Sequence, residues 1–441
     1  MRQKTLSIFN FDQKKIAVRR IVSVICVVTI LLGGLYYADR LLIKKNSYRK
    51  FEPFFQNDQE FDVLFFGSSH MRMGVSTLKL FHDYGITGYN LATDGNYILS
   101  NYYLLKDILN LLLEEERQLP KIVVMDIYEA NQELGYLHST WDCFPISDNK
   151  IEMVNKLVAE EDRAEMLAPF SLYHNRWNEI TKEDFHTDIS ELYGSDPGGY
   201  KVSYPGSEIV LDRNDKLEMR EETAFYIDLM KKECDALDIQ LILIHIPYSY
   251  NPIMQRRANG ISQYAEEQGI LFKNYMDPEI GIDYDIDFHD TGHLNSVGMG
   301  IITGNVGRLL VKEGLRDHRD EPQEQQWNQA YDNYKQYMFS RIIGFTNVKS
   351  YLMSINDAEL FSEIQVKEDI LKDVQIAKLI DRLREEGNQI TVTEEKAENV
   401  IGGGQNAKAE YDIYCEVHRR DDLETVIHTA GFHYEPAFGK N

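Results

Sequence analysis

Acyl transfer through a serine ester needs a hydroxyl, an imidazole to take its proton, and a carboxylate to orient that imidazole. The chain holds such a set in two short segments over 200 positions apart. The first is Gly67-Ser68-Ser69-His70, directly after the apolar run at 61–66, FDVLFF. That run reads as a buried strand stopping at a glycine-opened turn, which presents Ser69 above the sheet edge. Ser68 is an alternative hydroxyl by proximity alone. The second segment is Asp290-Thr-Gly-His293, where base and orienting carboxylate project from one turn of chain. Gly95, in the turn Thr93-Asp94-Gly95-Asn96, offers a backbone N–H to a developing oxyanion with no Cβ in the way. Two rival chemistries use neighbouring residues. His289 and His293, with Asp287 and Asp290, have spacing that suits a divalent cation, although a solvated loop histidine is the plainer reading of His289. No G-x-G-x-x-G follows a strand, and Gly402-Gly403-Gly404 precedes a hairpin, so a nucleotide loop is disfavoured. His70 is either a neighbour of the nucleophile or a helix-start residue, and His245, ahead of Pro247, reads as a packed histidine.

The elements that must position these groups alternate. Strands are predicted at 61–66, 88–91, 121–127, 239–245 and 270–274 from compact apolar runs. Helices are predicted at 76–84, 97–117, 219–237, 253–267 and from the Asp290 segment to about 312. This alternation means a parallel sheet with helices on both faces, and in such sheets the site lies at the carboxyl ends of the strands. Residues 129–215 have weaker periodicity and read as an irregular insertion that carries substrate selectivity. Residues 315–339 are polar and read as a linker, partly helical. Residues 340–441 read as a small α+β unit, with a helix near 367–386, an IGGGQN turn at 401–406 and a hairpin from 410 through 428.

Charge is unevenly spread. Of 47 Lys+Arg and 71 Asp+Glu, residues 1–50 hold 11 bases against Asp12 and Asp39, leaving 36 bases and 69 acids in the remainder. So acidic a body repels nucleic acid, whose binding rests on cationic contacts to phosphate. Residues 21–37 (IVSVICVVTILLGGLYY) carry no charge and, with Ala38, are long enough to span a bilayer. No small-x-small cleavage site follows, so an uncleaved anchor at 21–38 is expected rather than a signal peptide. The short basic tail at 1–20 favours an inside N-terminus, with a stalk at 39–60 and the main domain, 61–314, outside. Cys26 lies in the apolar span, and Cys143, Cys234 and Cys415 allow at most one intramolecular disulfide.

The order of these blocks resembles the SGNH (GDSL-type) hydrolase family over about residues 60–312. Gly67-Ser68-Ser69 stands at the first-strand block, with Ser replacing the usual Asp. Gly95 stands at the glycine block, and Asp290-Thr291-Gly292-His293 at the closing D-x-x-H. The third block departs: Asp126-Ile-Tyr-Glu129-Ala-Asn131 holds no G-x-N-D. The resemblance implies a flavodoxin-like sheet of about five strands, with Ser69 as nucleophile, His293 as base and Asp290 as its partner. It implies an oxyanion hole from Ser69, Gly95 and Asn131, with Tyr128 or another loop residue open as substitutes for Asn131. It calls for no metal or other cofactor. With the membrane anchor, the chain looks most like the cell-envelope branch, which includes D-alanyl transfer proteins of teichoic acids and acetyl-transfer proteins of exopolysaccharides. That likeness implies an extracellular glycan or teichoic-type polymer as substrate, and a multi-span membrane O-acyltransferase as a working partner. A non-catalytic glycan-binding or assembly subunit is the alternative, and the C-terminal unit is faintly like small lectin-like domains.

Overall fold

Strands whose side chains are apolar on both faces need helices above and below them. In a computed structural model describing residues 5–42, 45–56, 59–128, 134–142, 144–167, 192–196, 199–203, 209–210, 212–249, 252–358, 360–400 and 408–434, that need is met. Strands β1 (Val63–Phe66), β2 (Gly88–Asn90), β3 (Ile122–Asp126), β4 (Gln240–His245) and β5 (Leu271–Asn274) form one parallel sheet. Their order is β2-β1-β3-β4-β5, the flavodoxin-like arrangement. Alternation along each strand divides the core. Leu64, Phe66, Val123, Met125, Leu241 and Leu243 pack with helices Ile98–Glu114, Glu221–Ala236 and Pro252–Glu267. Val63, Phe65, Ile122, Val124, Ile242 and Ile244 pack on the other face with Ile302, Val306 and Leu310 of helix Ser296–Lys312. Strand order reverses between β1 and β3, so a crevice opens at the carboxyl ends of those two strands.

Helix Thr5–Leu42 includes Val18–Ala38, 21 residues of mean hydropathy 2.3 with none of that window buried. It is long and apolar enough to cross a membrane. The stretch expected as a stalk contains helix Lys45–Gln56, whose Phe51 and Phe54 are fully buried. Phe51, Phe54 and Phe55 recur at helical spacing, and Phe54 meets Tyr89 of β2 edge-on at 5.0 Å. The chain therefore docks on the sheet edge soon after the apolar helix.

The stretch expected as a linker differs most. Helix Glu324–Ile342 places Trp327, Ala330 and Tyr331 in the main core, and Met338 and Ile342 in the C-terminal core. Trp327 stacks against Phe81 at 4.8 Å and Tyr193 at 3.8 Å. Its polar composition hides an apolar stripe at three- and four-residue steps. This helix is a strut between two cores. Beyond it, β6 (Phe361–Lys367), β7 (Gln389–Thr393), β10 (Ile413–Arg419) and β11 (Asp422–Phe432) form a four-stranded sheet in the order β11-β10-β6-β7. Helix Val374–Glu385 crosses between the parallel pair β6 and β7, and it starts later than expected because β6 runs to Lys367 and a 3-10 turn takes up Glu368–Lys372. Strands β8 (Ala397–Val400) and β9 (Lys408–Tyr411) form a separate pair, and the 401–406 turn lies outside the described residues. Within the expected insertion, helices Leu134–Trp141 and Asp148–Leu157 pack against the main core, with Trp141 Nε1 donating to Ser100 Oγ at 2.8 Å.

If Glu324–Ile342 is core rather than connector, Trp327→Ala lowers stability by about 3–5 kcal/mol, as removal of a packed indole does. Urea unfolding of the full chain measures this, and a loss under about 1 kcal/mol would return the segment to linker status.

Candidate active site

The turn after β1 is built to a tight tolerance. Gly67 sits at φ +145°, and a Cβ there would lie 2.8 Å from Cβ of Asp126 at the end of β3. Only glycine fits. Ser68 then caps the short helix Ser69–Arg72: its Oγ accepts from His70 N at 3.3 Å and donates to Asp126 Oδ2 at 3.5 Å. The Ser68 hydroxyl is buried and turned toward the sheet, so the two adjacent serines have different environments. Ser69 opens the helix, which leaves its N–H among those without an intrahelical acceptor. Asn90, buried at the end of β2, steadies that helix by donating to Met71 O at 3.0 Å and Val75 O at 3.2 Å.

The second segment is a narrow loop closed on itself. His289 N donates to His293 O at 2.8 Å, and Phe288 bridges Leu294. Inside it, Asp290 Oδ1 accepts from Gly292 N at 2.8 Å and from His293 N at 2.9 Å. The His293 ring faces Asp290 through Nδ1, at 2.9 Å from Oδ1 and 3.0 Å from Oδ2. Burial works against a charged Asp290, but the His293 ring and the two backbone N–H groups hold its carboxyl well below the usual range. A carboxylate there accepts only, so Nδ1 is the donor of this pair, which in a neutral ring leaves Nε2 as the acceptor. Nε2 lies 2.8 Å from Ser69 Oγ, across 224 positions of sequence. The structure thus brings Ser69, His293 and Asp290 into one line of hydrogen bonds. The side chains of His293 and Asp290 are 27% and 43% exposed, so the line opens onto solvent.

Gly95 lies on the same rim, at φ +58°, in a turn tied back by Thr93 N donating to Gly67 O at 3.3 Å. Arg72, three residues after Ser69, pins this turn from the same short helix: Arg72 Nε donates to Asp94 Oδ1 at 2.9 Å, and its guanidinium also reaches Asp196. A Cβ at Gly95 would fall 2.2 Å from the Tyr136 ring, so that ring lies directly on the turn. Asn131 lies outside the described residues. Tyr128 packs on His70 with ring centres 4.1 Å apart and the planes tilted by 38°, and His70 also meets Tyr248 at 5.0 Å and His293 edge-on at 5.4 Å. Burial, then the neighbouring His293 and His245, push His70 well below the usual histidine value, so it is a neutral wall of the site. Burial pushes His245 down to about 3, in keeping with a packed ring.

The residues of the rival cation set do not converge. Asp290 turns to His293, while Asp287 is fully buried and gripped by Arg382 Nη1 at 2.5 Å and Nη2 at 3.0 Å. Sequence reasoning missed Asn90, Arg72, Tyr136 and Arg382. Only Arg382 had a local signal: Asp283, Asp285 and Asp287 crowd five positions and demand counter-charge.

No family model and no curated protein sequence matches this chain. Among solved structures, it is similar to a protein of the G-D-S-L family from Desulfitobacterium hafniense, at 12% identity over 57% of this chain and 99% of that one, TM-score 0.29. It is also similar to a GDSL-like lipase from Bacteroides thetaiotaomicron, at 13% identity over 61% of this chain and 100% of that one, TM-score 0.30. A third is the psychrotrophic esterase EstA from Pseudoalteromonas sp., at 10% identity over 57% and 98% of the two chains, TM-score 0.26.

Asp126 is pushed up to about 7 by burial, against the opposing pull of Ile246 N at 3.2 Å and the Ser68 hydroxyl. Its folded value lies above the unfolded one, so the folded state holds a proton that the unfolded chain has lost. Stability from this group is present at low pH and declines as pH rises from about 4 to about 7, by up to about 1.4 kcal/mol per pH unit. Asp126→Asn removes this slope. Thermal melts of both proteins from pH 4 to 8 check it, and parallel curves would show that Asp126 does not titrate there.

Proposed function

We propose that this protein is a membrane-tethered serine esterase or O-acyltransferase of the SGNH type, acting on ester-linked acyl groups, acetyl or similar, of an extracellular cell-envelope glycan. The observation that carries the reading is the contact of 2.8 Å between Ser69 Oγ and His293 Nε2, with Asp290 behind the ring. In this mechanism Ser69 Oγ attacks the ester carbonyl while its proton passes to Nε2. The Asp290 carboxylate stabilises the imidazolium so formed. The Ser69 and Gly95 N–H groups receive the oxyanion. His293 returns the proton to the departing sugar oxygen, leaving an acyl-enzyme on Ser69. Water or a second hydroxyl, deprotonated by the same imidazole, then takes the acyl group. Tyr136 over the Gly95 turn and the His70–Tyr128–Tyr248 wall are the surfaces that would distinguish those two acceptors.

The substrate class rests on the apolar N-terminal helix and the acidic body; a basic tail retained inside would place the site outside. A multi-span membrane O-acyltransferase would supply the acyl group where transfer rather than hydrolysis is the outcome.

The full chain in detergent, given nitrophenyl acetate and a serine-directed fluorophosphonate, tests the reading. Ser69→Ala is expected to lose labelling and to lower turnover by at least about 10⁴-fold. Ser68→Ala is expected to keep labelling and to lose about 1 kcal/mol of stability with its helix cap. Labelling retained in Ser69→Ala would overturn the assignment, and a parent protein that binds glycan without ever being labelled would favour the non-catalytic subunit.

A further inference from the structure

The loop that presents His293 is closed on itself, but its place over the sheet is set from outside. Asp283, Asp285 and Asp287 alternate just ahead of it, and three carboxylates so close repel unless cations lie against them. The C-terminal unit supplies those cations from one face of helix Val374–Glu385. Lys378 Nζ donates to Asp283 Oδ1 at 2.8 Å and Asp285 Oδ2 at 2.5 Å. Arg382, one turn on, takes both oxygens of the fully buried Asp287. Gln375, one turn back, donates to Asp285 O at 2.6 Å and Ser203 O at 3.0 Å.

Asp287 is the hinge point of the site. Its Oδ2 accepts from Asp283 N at 2.8 Å, and its backbone oxygen accepts from Asn295 N at 3.0 Å. Asn295 in turn donates to Ile286 O at 2.7 Å and caps helix Ser296–Lys312 through Gly298 N at 3.1 Å. Residues 288–294, including the Asp290–His293 pair, are therefore a loop whose two ends are joined at Asp287 and Asn295. A second latch comes from the same unit. Asp357 Oδ2 accepts from Ser296 Oγ at 2.8 Å and Tyr200 OH at 2.6 Å.

We infer that Arg382 is a positioning residue: through Asp287 it sets the height of the 288–294 loop, so that His293 meets Ser69, and the C-terminal unit is thereby part of the hydrolytic machinery. The inference rests on the acyl-transfer reading for its kinetic consequences and on the loop's own rigidity for the rest. A guanidinium suits this task because its planar fork fixes both oxygens of a carboxylate, where an ammonium fixes a point. A misplacement of about 1 Å at the reacting atoms costs on the order of 100-fold in rate.

The test uses the full chain in detergent, with nitrophenyl acetate kinetics and hydrogen–deuterium exchange of residues 283–296. Arg382→Gln is expected to lower kcat by about 100-fold with KM nearly unchanged, and to speed exchange across the loop. Arg382→Lys is expected to recover part of that loss. The double variant Arg382→Gln with Asp287→Asn removes both buried charges, so it folds even if the single variant does not. Its kcat is still expected to be low, which separates position from stability. Lys372→Gln, on the outer surface of the same unit, is expected to match the parent. Parent-like kcat and exchange in both the double variant and Arg382→Lys would overturn the inference. A parent protein with no esterase activity would count against the acyl-transfer reading alone, because the exchange of 283–296 still decides whether Arg382 holds the loop.

Discussion

A hydrogen bond of 2.8 Å between Ser69 and His293 is the contact around which the rest of the domain is arranged. Its two ends arise on strands that are not neighbours. Ser69 follows β1, the loop of His293 follows β5, and β3 and β4 lie between them. At the usual strand spacing that gap is about 14 Å, so the loop must travel back over the rim before it can deliver an imidazole. Ser249, after β4, supports the crossing by donating from N to Thr291 O at 2.8 Å. A loop that spans this distance has many conformations and only one in which the proton can move. Part of the order it needs comes from its own hydrogen bonds and from Ser249, and part from outside the sheet.

That requirement gives a physical reason for the C-terminal unit. Helix Glu324–Ile342 joins its core to the main one through Trp327 at one end and Ile342 at the other. The unit is held at a set distance from the sheet, and from there Arg382, Lys378 and Asp357 reach the segment 283–296. Opposite charges do the work on one side and a buried carboxylate with two hydroxyl donors on the other.

Charge around the reacting groups is sparse and ordered. His70 and His245 are driven toward neutrality by burial, and Asp126 is pushed toward its protonated form. Asp290 moves in the opposite direction because its hydrogen bonds to His293 and two backbone N–H groups outweigh burial. The carboxylate that faces the imidazole therefore keeps its charge, while the carboxyl under the Gly67–Ser69 turn tends to lose it. The same residue type serves two purposes according to the donors around it.

Much of this arrangement was legible in the residues alone. The longer strands declared themselves through compact apolar runs, and Ser69, Asp290 and His293 stood out through a glycine-opened turn, a base and carboxylate three positions apart, and a block order that resembles a known hydrolase family. Residues 315–339 read as a linker, partly helical, because the apolar stripe in them is thin, and a single tryptophan carries little periodic signal without the Phe81 and Tyr193 rings that enclose it. The alternating carboxylates at 283, 285 and 287 are plain in the sequence, but nothing local identifies the cations that lie against them. Composition, periodicity and turn chemistry are local, so they determined the elements and the candidate groups. Which serine faces the imidazole, and which arginine steadies the loop that carries it, depended on strand order and on contacts nearly a hundred or more positions apart, and these exist only once the chain has closed on itself.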